Sequence, residues 1–131
     1  MVSETNKARK KLGNRGEDLA AQFLAGKGYV ILERNYHAQH AEIDIICEAP
    51  SVLDDNPGDL VFVEVKTRTS RSAESPVESI TEQKLNLVRR AAEFYLYEKQ
   101  IEDRYCRFDV IGVQIIAGKT QIEHLEDVLD Y

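Results

Sequence analysis

Two short runs place carboxylates where a half-buried strand should carry apolar side chains. Ala41-Glu42-Ile43-Asp44-Ile45-Ile46 and Val61-Phe62-Val63-Glu64-Val65-Lys66 both read as strands. Side chains alternate across a strand, so Glu42 and Asp44 are expected on one face of the first run. Phe62, Glu64, Lys66 and Arg68 are expected on one face of the second. A loop of about ten residues, Ala49 to Asp59, joins the runs, which favours antiparallel pairing with the two charged faces side by side. Two acids and a lysine would then converge. Carboxylates are costly to desolvate unless they are paired or hold a metal, so this cluster is the main functional lead in the chain.

The surrounding pattern gives the cluster a frame. Leu12, Gly16, Leu19, Ala20, Phe23 and Leu24 recur at helical spacing, predicting a helix from Asn6 or Lys11 to Ala25, with Glu17 at the edge of its apolar face. A short strand is expected over Tyr29 to Arg34. Ser79-Ile80-Thr81-Glu82 has the spacing of a capping box opening a second helix, whose stripe is Leu85, Val88, Ala92, Tyr95 and Leu96. Phe108 to Ile116 reads as a strand and Gln121 to Leu125 as a last one. Helix, three strands, helix and one or two strands predict an α/β domain with a mixed central sheet flanked by helices. Pro50 to Gly58, with Asp54, Asp55, Asn56 and Pro57, is expected as a hairpin loop.

Composition narrows the function classes. At 14.9 kDa and 43% hydrophobic, residues 1–131 suit one domain with its own core. No apolar run approaches the roughly 20 residues that span a bilayer, and Met1 to Arg15 is too charged for a signal peptide, so no membrane association and a cytoplasmic location are expected. Cys47 and Cys106 lack a paired motif and are expected to be reduced and structural. The net charge of -6 argues against a protein that coats nucleic acid through charge alone. Its distribution is polarised, however: Lys7, Arg9, Lys10, Lys11 and Arg15 crowd the amino end, and Glu123, Glu126, Asp127 and Asp130 the carboxyl end. Residues 1–10 are expected to form a flexible basic arm, either a solvated terminus or a phosphate-binding one.

The combination Gly16-Glu17, Asn35, Glu42-Ile43-Asp44-Ile45-Ile46, Phe62-Val63-Glu64-Val65-Lys66-Thr67-Arg68, Lys84 and Phe108-Asp109-Val110 resembles the YraN family of small bacterial proteins. That family is similar in fold to the restriction-endonuclease-like PD-(D/E)XK nucleases and, among them, to archaeal Holliday-junction resolvases. The resemblance implies a three-layer α/β/α fold and a metal-dependent endonuclease acting on DNA, including branched DNA, or on RNA. It implies that Asp44 and Glu64 ligate the cation with the Val65 carbonyl, and that Glu17 matches the helix-borne acid of the resolvases. Lys66 would orient the attacking water or counter the charge of the transition state. Hard oxygen ligands imply Mg2+ or Mn2+. Arg68, Thr67, Arg15 and Lys84 are the expected substrate contacts, and a homodimer would suit a symmetric junction.

Plainer readings stand beside these. Glu64 and Lys66 could form a same-face ion pair on a solvated strand, and Lys84 could be ordinary helix polarity. Glu42 suits a ligand and a solvated strand end equally. His37 and His40 read as solvent-facing loop residues without partner ligands, and His124 is given no role. Two other functions remain open: nucleic-acid binding without cleavage, and an interaction module on an inactive nuclease scaffold.

Overall fold

Helix α1 (Glu4–Gly26) opens where the Ser3 hydroxyl accepts the Asn6 amide at 3.2 Å, giving a partner to one free amide of the first turn. The computed structural model describes residues 3–53, 57–69 and 78–129. From Glu4 onward the basic segment expected as an arm is helical; Met1 and Val2 lie outside the described residues. Gly16, Ala20 and Leu24, four apart, form the buried stripe of α1.

Five strands follow around a second helix: β1 (Val30–Ala38), β2 (Ala41–Glu48), β3 (Leu60–Arg68), α2 (Glu82–Glu98), β4 (Cys106–Ile116) and β5 (Lys119–Leu125). They form one sheet in chain order. Neighbours are antiparallel except β3 and β4, which run parallel and are joined through α2, as a parallel pair requires a crossover. The helices cover opposite faces. Val88, Ala91, Ala92 and Tyr95 of α2 pack on Ile46, Phe62 and Phe108, the two phenylalanine rings stacking at 5.3 Å. Ala20 and Leu24 of α1 pack on Ile45, Cys47, Val61, Val63, Ile111 and Val113. Because β3 is covered on both sides, its first half reads as the continuous apolar run Leu60-Val61-Phe62-Val63. Each such side chain contributes roughly 1.5–3 kcal/mol by leaving water. The result is the three-layer α/β/α arrangement with a mixed sheet.

Several boundaries differ from expectation. β1 continues to Ala38, so His37 is a strand residue facing Glu42 across the pair at 3.8 Å, and only His40 lies in a turn. That turn, Gln39-His40, has positive φ at both residues (53° and 63°), as a two-residue hairpin needs. Without an Asn-Gly or Asp-Gly pair the sequence did not announce it. The second helix is capped by Thr81 rather than Ser79, its hydroxyl accepting the Lys84 amide at 3.1 Å. With Thr81 as cap the third helical residue is Lys84, so the capping box built on Glu82 does not form. In the hairpin loop, the Ala49 amide donates to the Asp59 carbonyl at 2.9 Å; Asp54, Asp55 and Asn56 lie outside the described residues. No helix among the described residues is long and apolar enough to cross a membrane.

Candidate functional site

The ladder between β2 and β3 ends at Ile45 opposite Val63, and just beyond it Asp44 Oδ2 accepts the Val65 amide at 2.8 Å. On the other side of β2, the pairs Arg34 with Ile45 and Tyr36 with Ile43 leave Asn35 opposite Asp44. Asn35 has φ 54°, a left-handed conformation in mid-strand. Simple alternation fails there. Ile45 packs under α1, while Ile43 packs under α2 beside Ile46. Asp44 therefore sits at a break between two faces, where a carboxylate can reach groups from several elements.

Four acids meet at this break. Ligating oxygens of Glu17 on α1 and of Glu42 and Asp44 on β2 lie within 4.8 Å of one another, and Glu64 on β3 is hydrogen-bonded to Asp44. A cleft of about 330 Å3 opens over them, lined by Arg9, Leu12, Gly13, Glu17, Asp44, Glu64, Val65 and Thr67. The electrostatics reflect the crowding. Burial, then the negative Asp44, pushes Glu64 from 4.5 up to about 7, against the pull of Lys84 and Lys66. Burial and like charge thus act on both carboxyls, which favours one proton held between them. Burial also raises Asp44, opposed by the Val65 amide and the Glu64 hydrogen bond. Glu17 is pushed to about 7 by burial and by Asp44 and Glu42, with Arg34 opposing. A donor set made of carboxylates suits a hard divalent cation such as magnesium or manganese, whose charge would replace the shared proton.

The remaining residues named from the sequence divide into those at the cleft and those beside it. Thr67 lines the cleft and touches Gly16, where a methyl group would overlap the threonine side chain. Lys84 lies 3.9 Å from Glu64, an ion pair rather than plain helix polarity. Lys66 acts on Glu64 electrostatically, less strongly than Lys84, and does not line the cleft. Arg68 extends β3 opposite Gln114. Arg15 is exposed and away from the cleft wall; the basic residue that lines it is Arg9, seven positions before Gly16 on the helix face that continues the buried stripe. Asn35, named only within the family pattern, is at the centre: with its amide nitrogen turned toward the acids, it donates to Glu42 Oε1 at 2.7 Å and Glu17 Oε1 at 2.8 Å. A polar residue opposite Asp44 was the available signal. Its left-handed backbone was not readable.

A second charged cluster was not foreseen. Asp109, with a fully buried side chain, accepts from Arg107 Nε at 3.1 Å and the Asp127 amide at 3.0 Å, and lies 2.7 Å from His124 Nε2. His124 Nδ1 lies 3.0 Å from Lys27 Nζ. Burial opposes charging Asp109, but the hydrogen bonds from His124, Arg107 and the Asp127 amide outweigh it and hold the carboxyl below its usual range. Asp109, His124 and Glu126 have the spacing of metal ligands, yet Arg107 already contacts both acids. This network is satisfied without an ion and ties β4 to β5.

Comparison with known proteins finds relatives along most of the chain. The chain is 43% identical to a UPF0102 protein of Syntrophomonas wolfei over 116 residues, covering 88% of this chain and 95% of that one. It is 43% identical over 120 residues to one of Alkaliphilus oremlandii, covering 90% and 97%. A relative in Chlorobium chlorochromatii is 45% identical over 124 residues, covering 89% of each. The model of the uncharacterised protein family UPF0102 matches residues 16–113, a span that begins one residue before Glu17 and contains Asn35, Glu42, Asp44, Glu64 and Lys66. With residues 16–113 matched by the family model, and relatives 43% identical over 88% and 90% of its length, the chain belongs to family UPF0102.

Proposed function

We propose that this protein is a divalent-cation-dependent phosphodiesterase that cleaves nucleic acid, DNA in preference to RNA. The observation that carries the reading is the meeting of Glu17, Asp44 and Glu64, with Glu42 beside them, at a cleft whose wall also presents Arg9. Acids gathered from a helix and two strands and kept partly protonated are an expensive arrangement for a fold to maintain, which favours a role for their charge. Asp44 and Glu64, with Glu17, would hold Mg2+ or Mn2+. Bound there, such an ion supplies Lewis-acid activation of water and neutralises charge on a phosphodiester. Lys66 and Lys84 flank Glu64 and hold positive charge where a phosphate would develop negative charge. Arg9, which makes no ion pair among the described residues, is placed to grip an adjacent phosphate.

The test is incubation of branched, nicked, flapped and single-stranded DNA, and of RNA, with Mg2+ or Mn2+. Cleavage is expected with wild-type protein, with a loss of at least a hundredfold in Asp44→Ala and in Glu64→Ala. Absence of cleavage with every substrate, or full activity in both variants, would overturn the reading. Calorimetry separates the alternatives: a bare interaction module would bind neither ion.

A further inference from the structure

We infer that Asn35 is a positioning residue that ties the helix-borne acid to the sheet-borne acids by one side-chain amide. This rests on the cation site proposed above and concerns what holds that site in shape. Three observations converge on it. Asn35 has φ 54° within β1, a conformation that most L residues adopt only at a cost and that asparagine tolerates. It stands opposite Asp44, at the place where β2 breaks its alternation. The acceptors around it assign its amide nitrogen to the side of the acids, where it donates at 2.8 Å to Glu17 on α1 and at 2.7 Å to Glu42 on β2.

The geometry explains how acids from separate elements stay together. Asp44 and Glu42 both repel a charge on Glu17, and Glu42 repels one on Asp44. A neutral group with two donors offsets that repulsion without adding a charge that would compete with a cation. Extended backbone at position 35 would aim the side chain elsewhere, so the strained φ and the double hydrogen bond form one device. Glu42 is thereby assigned to the site, held within reach of Asp44, rather than to a solvated strand end.

The substitution Asn35→Gly removes the amide and keeps the left-handed backbone accessible, whereas Asn35→Ala loses both. Mn2+ titration by calorimetry is expected to give at least tenfold weaker binding for N35G than for wild type. In metal-free protein, thermal melts of wild type, N35G, E17Q and the double variant form a cycle in which the backbone entropy of glycine cancels. The melting-temperature loss from N35G should at least halve in the E17Q background, because the repulsion that Asn35 bridges is gone. Equal losses in both backgrounds would overturn the inference, as would unchanged Mn2+ affinity in N35G. If the wild-type protein binds no Mn2+, the metal reading fails by itself and the cycle still decides the role of Asn35.

Discussion

Glu64 and Asp109 are both buried acids, yet their surroundings drive them in opposite directions. Asp109 is met by a guanidinium, an imidazole and a backbone amide, so its charged form is the stable one and its carboxyl titrates below the usual range. Glu64, with a side chain 12% exposed, meets another carboxylate first and reaches about 7. Stability must then depend on pH with opposite signs at the two sites. The depressed Asp109 contributes stability above its unfolded value of 3.8, lost as pH falls through the folded value. The raised Glu64 binds its proton more tightly folded than unfolded, so stability is lost as pH rises from 4.5 to about 7. Glu64→Gln keeps the shape and a donor toward Asp44 but removes the titration. It is expected to be about 3 kcal/mol more stable than wild type near pH 8, and equal to it within about 0.5 kcal/mol near pH 4, by urea denaturation. An unchanged difference across that range would show that Glu64 does not carry the shared proton.

Helix α1 and strand β3 bring Glu17 to the sheet-borne acids, and their separation is set by Gly16. A methyl at position 16 overlaps the Thr67 side chain, including its Cβ at 2.9 Å, so one of the two elements must shift. Gly16→Ala is therefore expected to destabilise by about 1–3 kcal/mol despite alanine's better helix propensity, and to weaken Mn2+ binding by displacing Glu17. A neutral or stabilising result in a urea melt would mean that the helix rides higher on the sheet. Much of this level was legible beforehand. Apolar spacing in Leu12 to Leu24 and Leu85 to Leu96 placed both helices, and the runs around Ile45 and Val63 placed the central strands. Asp44 and Glu64 stood out as acids interrupting apolar strands, and Glu17 as an acid at the edge of an apolar helix face. What escaped notice depended on backbone signs and long-range partners: the positive φ of Asn35, Gln39 and His40, the shift of the cap from Ser79 to Thr81, and the burial of Asp109 against His124, fifteen residues away. Local periodicity carries no information about either.

For the molecule as a whole, a net charge of -6 sets the sign of the distant field, while Arg9 on the first half of α1 brings positive charge to the cleft wall. Lys7, Arg9, Lys10, Lys11 and Arg15 lie on a continuous helix instead of a loose arm, and only Lys7 among them has an ion-pair partner among the described residues, Glu4 at 3.9 Å. A basic helical segment beside an acidic cleft would divide the tasks of the nuclease proposed above. Under the proposed function the helix would attract the phosphate backbone, and the acids would repel it until a cation neutralised them. Two kinds of ion should then act oppositely on duplex binding: added monovalent salt weakens it by screening the helix, and divalent ion strengthens it by filling the cleft. Replacing Arg9, Lys10 and Lys11 together by glutamine in the Glu64→Gln background, where cutting is blocked, should weaken duplex binding. The slope of log affinity against log salt should become shallower by about 0.9 for each phosphate that the helix no longer neutralises, hence by up to about 3. Fluorescence anisotropy across a salt series measures both quantities. If affinity and slope stay at the parent values, the nucleic acid does not run along α1, and its path must be sought on the side of the cleft where α2 presents Lys84.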